Sequence, residues 1–311
     1  MKEIRPQAVR MSKRANVFYL EHVRVMQYQN KLVYRTERTQ ELHQYVTIPD
    51  KNTSFILLGR GTSITDLAVR MLAESNVLVG FCGSGGSPLF GLTDITFLTP
   101  QDEYRPPEHA QAWFALWSND AHRLSMGREL LRYRLGWGKK LFVKLGYNIE
   151  PDVFDGFESK IEKSNDITNL LLSEAWYVKK LYLAMATRHG VTGFTRDAEG
   201  LNDNAHRRVN GLLSHGNYLA YGYAAVSLHT MGIPYFLPIL HGKTRRGALV
   251  FDIADLFKDW LVLPAAFEVG TTNQEDKVFR ALVIERALKY ELLDHAMDFI
   301  SGLPSKVLEN Q

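Results

Sequence analysis

Cysteine is almost absent from this sequence of 311 residues, and long apolar runs are absent altogether. The single cysteine, Cys82, cannot form an intrachain disulfide, which fits a protein of the reducing cytoplasm. The first 14 residues mix charges and have no apolar core, so they lack the pattern of a signal peptide. No run approaches the roughly 20 apolar residues of a membrane-spanning helix, so we expect no membrane segment.

The sequence also lacks a large net charge, because 37 lysines and arginines nearly balance 34 aspartates and glutamates and leave +3 at pH 7. Such a balance neither requires nor excludes nucleic acid, since what matters is whether the basic residues cluster. One cluster lies within residues 128–144. A second cluster comprises Arg207, Arg208, Lys243, Arg245 and Arg246. Each cluster is either a solvated helix face or a surface that binds phosphates.

The N-terminal third of the chain has the composition of β structure. β-branched and aromatic residues predict strands at residues 17–26, 31–36, 44–49, 54–59 and 77–82. Gln29 and Asn30 separate the first two of these strands and predict a hairpin turn. These patterns indicate a β-rich N-terminal domain.

A glycine-rich turn at residues 59–65 precedes a predicted helix at 66–75, with Thr62 or Ser63 as its cap. One interpretation is a phosphate-binding loop, because backbone amides at a helix N-terminus attract anions. The lysine of a phosphate-binding loop does not follow in the required frame. The other interpretation, which we favour, is a structural connection between a strand and a helix.

Prolines mark residues 99–108 as a linker, and beyond it the apolar spacing becomes helical. Helices are predicted at residues 165–189, 209–231, 253–268 and 275–301, and a short strand at 235–240. The predicted fold class is therefore α+β. Its β-rich domain spans residues 1–98, and a larger all-α domain spans residues 109–311.

Residues 241–259 concentrate the polar chemistry of the helical domain. Asp252 and Asp255 are one helical turn apart, and a buried carboxylate is costly unless it is paired or bound to metal. His241 and one of these acids could therefore bind a divalent ion. The alternative is structural: His241 is hydrogen-bonded scaffold, and Asp252 and Asp255 occupy the N-cap and first turn of a helix.

Glu174 interrupts the apolar face of the predicted helix at 165–189. It is either an exposed helical glutamate or a third ligand. One histidine with two carboxylates suits Mg²⁺ or Mn²⁺, which prefer oxygen ligands and accept an imidazole. An ion so bound can activate a hydroxyl nucleophile for attack on a phosphodiester.

The run from His241 to Lys258 resembles the signature of the CRISPR-associated adaptation integrases, which insert new spacers into CRISPR arrays. The likeness extends over nearly the whole chain, through matching segments at residues 59–65, 81–83, 172–175, 210 and 216–222. Within this family the sequence is most similar to the type I-F branch. The sequence segments shared with that branch are residues 12–16, 98–106, 215–222 and 240–247.

The resemblance implies three metal ligands, Glu174, His241 and Asp255. It also implies that Tyr221 and Lys258 lie near the reacting phosphate. Asp252 would support the site. The implied cofactor is Mg²⁺ or Mn²⁺, and the implied fold is a β-rich domain followed by a helical catalytic domain.

The implied activity is that of a metal-dependent DNA endonuclease and integrase. The 3′-hydroxyl of a protospacer strand would attack a phosphodiester of the CRISPR repeat. Implied partners are double-stranded DNA, a second copy of the chain, and the second adaptation protein, which type I-F systems fuse to a helicase-nuclease. Two alternatives stay open on the residues: a metal-dependent nuclease acting on branched DNA, and a DNA-binding scaffold without catalysis.

Three basic residues, Lys243, Arg245 and Arg246, lie in one glycine-bracketed turn beside the expected metal site and are the predicted DNA contacts. Changing Arg245 and Arg246 together to Ala should weaken DNA binding with little regard to base sequence. It should also flatten the slope of log affinity against log salt by about one unit for each phosphate that is no longer neutralised. Titration of a labelled duplex at several salt concentrations measures this slope, and an unchanged slope would show that these arginines do not contact phosphate.

Overall fold

The computed structural model describes residues 14, 16–37, 43–83, 96–98, 107–196, 204–242, 247–272 and 274–309. The chain divides into two compact units, Met1–Tyr104 and Arg105–Gln311. Within the described residues the first unit is mainly β and the second is helical, which confirms the predicted α+β class. The division falls inside the linker predicted at residues 99–108.

The first unit contains two four-stranded sheets in its described residues. One sheet has the order β1-β5-β7-β8, with β1 at Asn16–Leu20, β5 at Thr53–Leu58, β7 at Leu78–Phe81 and β8 at Thr96–Leu98. The other has the order β4-β3-β2-β6, with β4 at His43–Thr47, β3 at Lys31–Glu37, β2 at Arg24–Tyr28 and β6 at Ser63–Ile64. Every residue of β5 is buried, as expected for a central strand with parallel neighbours on both sides.

The predicted hairpin is confirmed between β2 and β3, which pair antiparallel around Gln29 and Asn30. Both turn residues have positive φ, 49° and 58°, as the right-handed twist of a tight hairpin requires. The predicted single strand at 17–26 is wrong, because the chain turns at His22, whose φ is 52°. The residues on either side of this turn form β1 and β2, which belong to different sheets.

The glycine-rich turn is a structural connection between β5 and helix α1 (Asp66–Glu74). A side chain at Gly61 would approach the ring of His22 to 2.4 Å, so the turn is already packed against its own unit. The predicted cap is wrong, since Thr65 accepts the bond from the backbone N–H of Ala68. The Thr62 hydroxyl instead donates to the carbonyl of Leu20.

The second unit is built from helices in its described residues. They are α2 (Pro107–Trp117), α3 (Asp120–Lys144), α4 (Pro151–Lys163), α5 (Ile167–Arg188), α6 (Asn204–Thr230), α7 (Ala248–Gly270), α8 (Asp276–Lys289) and α9 (Leu292–Glu309). Nearly every residue of α7 is buried, and α3, α5, α6, α8 and α9 pack around it. A helix that is buried on all sides lies at the centre of a core. Within the described residues, none of the helices has the length and apolarity to cross a membrane.

Three structural elements predicted in this unit differ from the structure. The helix predicted at 275–301 is two helices, α8 and α9, separated by a turn in which Glu291 has a φ of 48°. The segment at 235–240 is irregular and not a strand, since Leu237, Ile239 and Leu240 are buried without joining a sheet and Phe236 is exposed. Helix α7 begins at Ala248 after Gly247, whose φ is 65°, so the helix starts before Asp252.

Gly216 allows α6 to approach α7 and α8 closely. A methyl group at this position would lie 2.4 Å from Val262 and 2.7 Å from Phe279. Gly216→Ala should therefore lower the free energy of unfolding by about 1–3 kcal/mol through overpacking. Gly211→Ala in the same helix is the matched control, since no atom lies within 4 Å of its added methyl. The control should raise stability by up to about 1 kcal/mol. Chemical denaturation measures both, and equal effects would contradict the packing argument.

Candidate metal centre

Helix α7 carries three buried aspartates on one face. Asp252, Asp255 and Asp259 are 0%, 7% and 4% exposed, and their spacing of three and four residues places them along one side of the helix. Each buried carboxylate needs a compensating partner. The partners come from the segment before α7, from α7 itself and from α3, so the first and the last of these meet α7 at this face.

Asp252 organises the segment that carries His241. Its carboxylate accepts hydrogen bonds from the backbone N–H groups of Ile239, Leu240 and His241 at 2.6, 3.3 and 3.1 Å. It also bonds Nδ1 of the His241 ring at 2.7 Å. The predicted helix-capping role of Asp252 is wrong, because this residue lies inside α7, after its first turn. Its contacts instead fix one ring nitrogen of His241 and leave the other, Nε2, for a further ligand.

Asp255 lies between His241 and Lys258. Nε2 of His241 is 4.0 Å from Oδ2 of Asp255, and the Lys258 ammonium contacts Oδ1. The same ammonium lies over the ring of Tyr221, 4.9 Å from its centroid. Burial alone would raise the pKa of Asp255, but the charges of Lys258, Arg134 and His241 outweigh it and lower that pKa. The Asp255 carboxylate is therefore ionised.

Asp259 pairs with Arg134 of α3. Nε and Nη2 of Arg134 donate to the two oxygens of Asp259 at 2.6 and 2.7 Å, and Nη1 donates to Oε1 of Glu174 on α5 at 2.5 Å. Burial alone would lower the pKa of Arg134, but the negative charges of Asp259 and Glu174 outweigh it and raise that pKa well above its ordinary value. Arg134 is thus a permanent cation that joins two carboxylates.

A cavity of about 170 Å³ lies beside this face of α7. Its polar lining comprises Arg134, Glu174, Asn217, Asp255, Lys258 and Asp259. Of the three ligands implied by the sequence, Glu174 and Asp255 line this cavity, and His241 lies beside Asp255. Lys258 lines the same cavity, and Tyr221 lies beside Lys258.

The donor set fits a divalent ion in its chemistry. Two ligands that are each about 2.1 Å from one ion can be no more than about 4.2 Å apart, and His241 and Asp255 satisfy this limit. Among the described residues, however, no three His, Cys, Asp or Glu side chains are already arranged to hold a metal ion. One oxygen of Glu174 accepts a hydrogen bond from Arg134, and one oxygen of Asp255 contacts Lys258.

Charge balance supports the same fit. The four carboxylates of Glu174, Asp252, Asp255 and Asp259 face two permanent cations, Arg134 and Lys258, which leaves two negative charges. Two groups can take up protons to offset this excess. Burial and the charge of Asp255 raise the pKa of Glu174. Burial lowers the pKa of His241, but its bond to Asp252 and the charges of Asp252, Asp255 and Glu174 together more than compensate and leave that pKa raised. A divalent ion would offset the same two negative charges.

The basic cluster at residues 128–144 is not one surface. Arg128 donates to the carbonyl of Ser164, and Lys139 lies near the carboxylates of Asp155 and Glu158. Arg134 points into the unit and is 2% exposed. The sequence did hold a signal for Arg134, since it interrupts the apolar face of its helix, beside Leu130, Leu131 and Leu135. The predicted DNA contacts Lys243, Arg245 and Arg246 lie outside the described residues.

The family model described as "CRISPR associated protein Cas1" matches residues 19–281. The CRISPR-associated endonuclease Cas1 of Pseudomonas aeruginosa is 39% identical to this chain, and the alignment covers 95% of this chain and 94% of the relative. This chain belongs to the Cas1 family. The resemblance inferred from the sequence motifs is thereby confirmed.

Two solved structures share the Cas1 fold of this chain. A Cas1 protein from Thermotoga maritima superposes with a TM-score of 0.70 at 14% identity, covering 94% of this chain and 96% of its own. A casposase bound to an integration product superposes with a TM-score of 0.68 at 15% identity, covering 93% and 91%. At these identities the likeness shows the fold alone.

Asp252→Asn should destabilise the metal-free protein, because the amide cannot accept all the hydrogen bonds that the carboxylate accepts. We expect a loss of about 1–3 kcal/mol in the free energy of unfolding, measured by chemical denaturation. The pKa of the His241 ring should fall at the same time, since a negative charge that raises it is removed, and an NMR titration measures this.

The matched control is Asp276→Asn, because Asp276 also lies beside a histidine, His215, at 3.9 Å but is 68% exposed. Its effect on stability should be below about 0.5 kcal/mol. Equal effects of the two substitutions would show that the buried contacts of Asp252 do not stabilise the fold.

Proposed function

We propose that this protein is a metal-dependent DNA integrase of CRISPR adaptation, of the type I-F branch. It would join the 3′-hydroxyl ends of a protospacer to phosphodiesters of the repeat. The observation that supports this proposal is that Glu174 and Asp255 line one cavity, with His241 beside Asp255, in a chain of the Cas1 family. The endonuclease name of the Pseudomonas aeruginosa relative supports the cleavage of phosphodiesters.

Glu174, His241 and Asp255 would hold the Mg²⁺ or Mn²⁺ ion. When bound, such an ion polarises a phosphate oxygen and lowers the pKa of an attacking hydroxyl. Asp252 fixes Nδ1 of His241, so that Nε2 is the nitrogen available for coordination. Because His241 must be neutral to coordinate a metal, its ring loses its proton as the site is filled.

Lys258 would help to bind the reacting phosphate. Burial alone would lower the pKa of this lysine, but the charge and hydrogen bond of Asp255, together with Tyr221, outweigh it and raise that pKa, so the ammonium stays charged. Its position between Asp255 and the ring of Tyr221 holds the charge at the rim of the site. Tyr221 is held in turn by edge-to-face contact with Phe251 at 4.7 Å. We therefore propose that both residues contact the phosphate.

Double-stranded DNA is the proposed substrate, both as protospacer and as repeat. The integration product bound to the casposase of similar fold supports this class of ligand. Lys243, Arg245 and Arg246 would neutralise phosphates of the bound DNA. A second copy of the chain, and the second adaptation protein fused to a helicase-nuclease, are the proposed partners in the cytoplasm.

Strand joining tests the proposed function directly. The assay mixes a supercoiled plasmid carrying a repeat, a short duplex with 3′-hydroxyl ends, the partner protein and Mn²⁺. Asp255→Asn, Glu174→Gln and His241→Ala should each lower the joining rate by more than about 100-fold, because a site that loses one of three ligands loses more than the roughly 10–100-fold that an outer partner contributes. Gel analysis of plasmid and joined product gives the rates.

The matched controls are Asp155→Asn and Glu158→Gln on α4, whose side chains are 72% and 50% exposed and lie near Lys139. They should keep the wild-type rate. Cleavage without joining would indicate a nuclease, and no reaction at all would indicate a scaffold. A variant with near-normal joining would remove its residue from the proposed site.

A further inference from the structure

Arg134 is the more deeply buried of the two cations in the candidate metal centre, and the proposed function assigns it no role. Its side chain is 2% exposed, and the side chains of its partners Asp259 and Glu174 are 5% and 13% exposed. The three residues come from α3, α7 and α5. A buried group of charges is stable only when its geometry and hydrogen bonding are good, so the orientation of Arg134 is informative.

Asp259 fixes the plane of the guanidinium. Two nearly parallel hydrogen bonds, from Nε and Nη2, reach the two oxygens of the Asp259 carboxylate. A planar group held at two points cannot rotate, which a lysine ammonium could do. The ring of Tyr177 also faces the guanidinium, with its centroid 5.9 Å from Cζ. The direction of the third donor, Nη1, is therefore determined.

Nη1 donates to Oε1 of Glu174. In the part of the chain that the structure describes, no hydrogen bond to the other oxygen, Oε2, is formed. A glutamate side chain in a helix has several rotatable bonds and would otherwise sample many orientations. Arg134 removes this freedom while it leaves one carboxylate oxygen available to a further ligand.

The same arrangement occurs at the other end of the centre. Asp252 orients the ring of His241 through Nδ1, and Nε2 remains available. Asp252 and Asp259 are seven residues apart on one face of α7, with Asp255 between them. The outer aspartates thus each orient a group from another segment: Asp252 acts on His241 directly, and Asp259 acts on Glu174 through Arg134.

We propose that Arg134 and Asp259 are positioning residues that hold Glu174 in the orientation in which it binds a divalent ion. This inference rests on the proposed function, because it takes Glu174 as a ligand. Partners that orient metal ligands in this way typically contribute about 10–100-fold to metal affinity. Arg134 does not touch the reacting atoms, so its contribution is read from metal binding and not only from joining.

The experiment measures the dissociation constant of Mn²⁺ for the metal-free full-length protein by isothermal titration calorimetry. Arg134→Lys keeps the charge but cannot hold Asp259 at two points and Glu174 at a third. It should weaken Mn²⁺ binding by about 10-fold or more. The double variant Arg134→Met with Asp259→Leu removes the buried Arg134–Asp259 pair together, so that only Glu174, the most exposed of the three side chains, loses its partner. It should weaken binding by about 10–100-fold while the melting temperature stays near that of the wild type.

The matched control is Arg286→Lys. Arg286 also holds a carboxylate of α7, Glu268, at 2.7 and 2.8 Å, but it lies outside the candidate centre. This substitution should lower the melting temperature and leave the dissociation constant of Mn²⁺ unchanged. The comparison separates a general effect of a broken arginine–carboxylate pair from a specific effect on the metal ligand.

An unchanged dissociation constant in the double variant and in Arg134→Lys would overturn the inference and leave the pair a purely structural role. Tighter binding would also overturn it, because Arg134 would then compete with the metal for Glu174. Asp255→Asn distinguishes this failure from failure of the proposed function. If the wild type binds no Mn²⁺, or if Asp255→Asn binds Mn²⁺ as tightly as the wild type does, both the metal site and the inference built on it are wrong.

Discussion

The helical unit depends on how it compensates the negative charge buried on one face of α7. Desolvating a carboxylate costs several kcal/mol unless it is paired and hydrogen-bonded, and Asp252, Asp255 and Asp259 are all buried. Their compensation comes from the backbone of residues 239–241, from Lys258 and from Arg134. These contacts tie α3 and the segment before α7 to the central helix.

The same charges give the site its chemistry. Permanent cations compensate Asp259 and part of Asp255, whereas His241 and Glu174 are groups whose raised pKa values let them hold protons. A divalent ion bound by these groups would offset the same excess of negative charge. A single residue can therefore have both a structural role and a proposed catalytic role. Asp252 uses one carboxylate to stabilise the fold and to orient His241.

Several features were predictable because they are local. The hairpin at Gln29 and Asn30 requires positive φ, and this pair of residues tolerates it. Two of the predictions that failed depended on burial. The apolar residues at 235–240 suggested a strand, and the acid spacing from Asp252 suggested a cap, but both patterns arise from packing against the rest of the helical unit. A short apolar run does not by itself distinguish a strand from a buried irregular segment.

By itself the sequence determined the family, the α+β class and the candidates Glu174, His241 and Asp255, because these follow from residue types at fixed spacings within short motifs. Only the tertiary structure decided that Arg134 belongs to the centre and not to a basic surface. Its partner Asp259 is 125 positions away, and the partner of a charge is selected by which groups are buried together. The packing of α3 and α5 against α7 decides which groups are buried together. A local pattern of residues does not predict that packing.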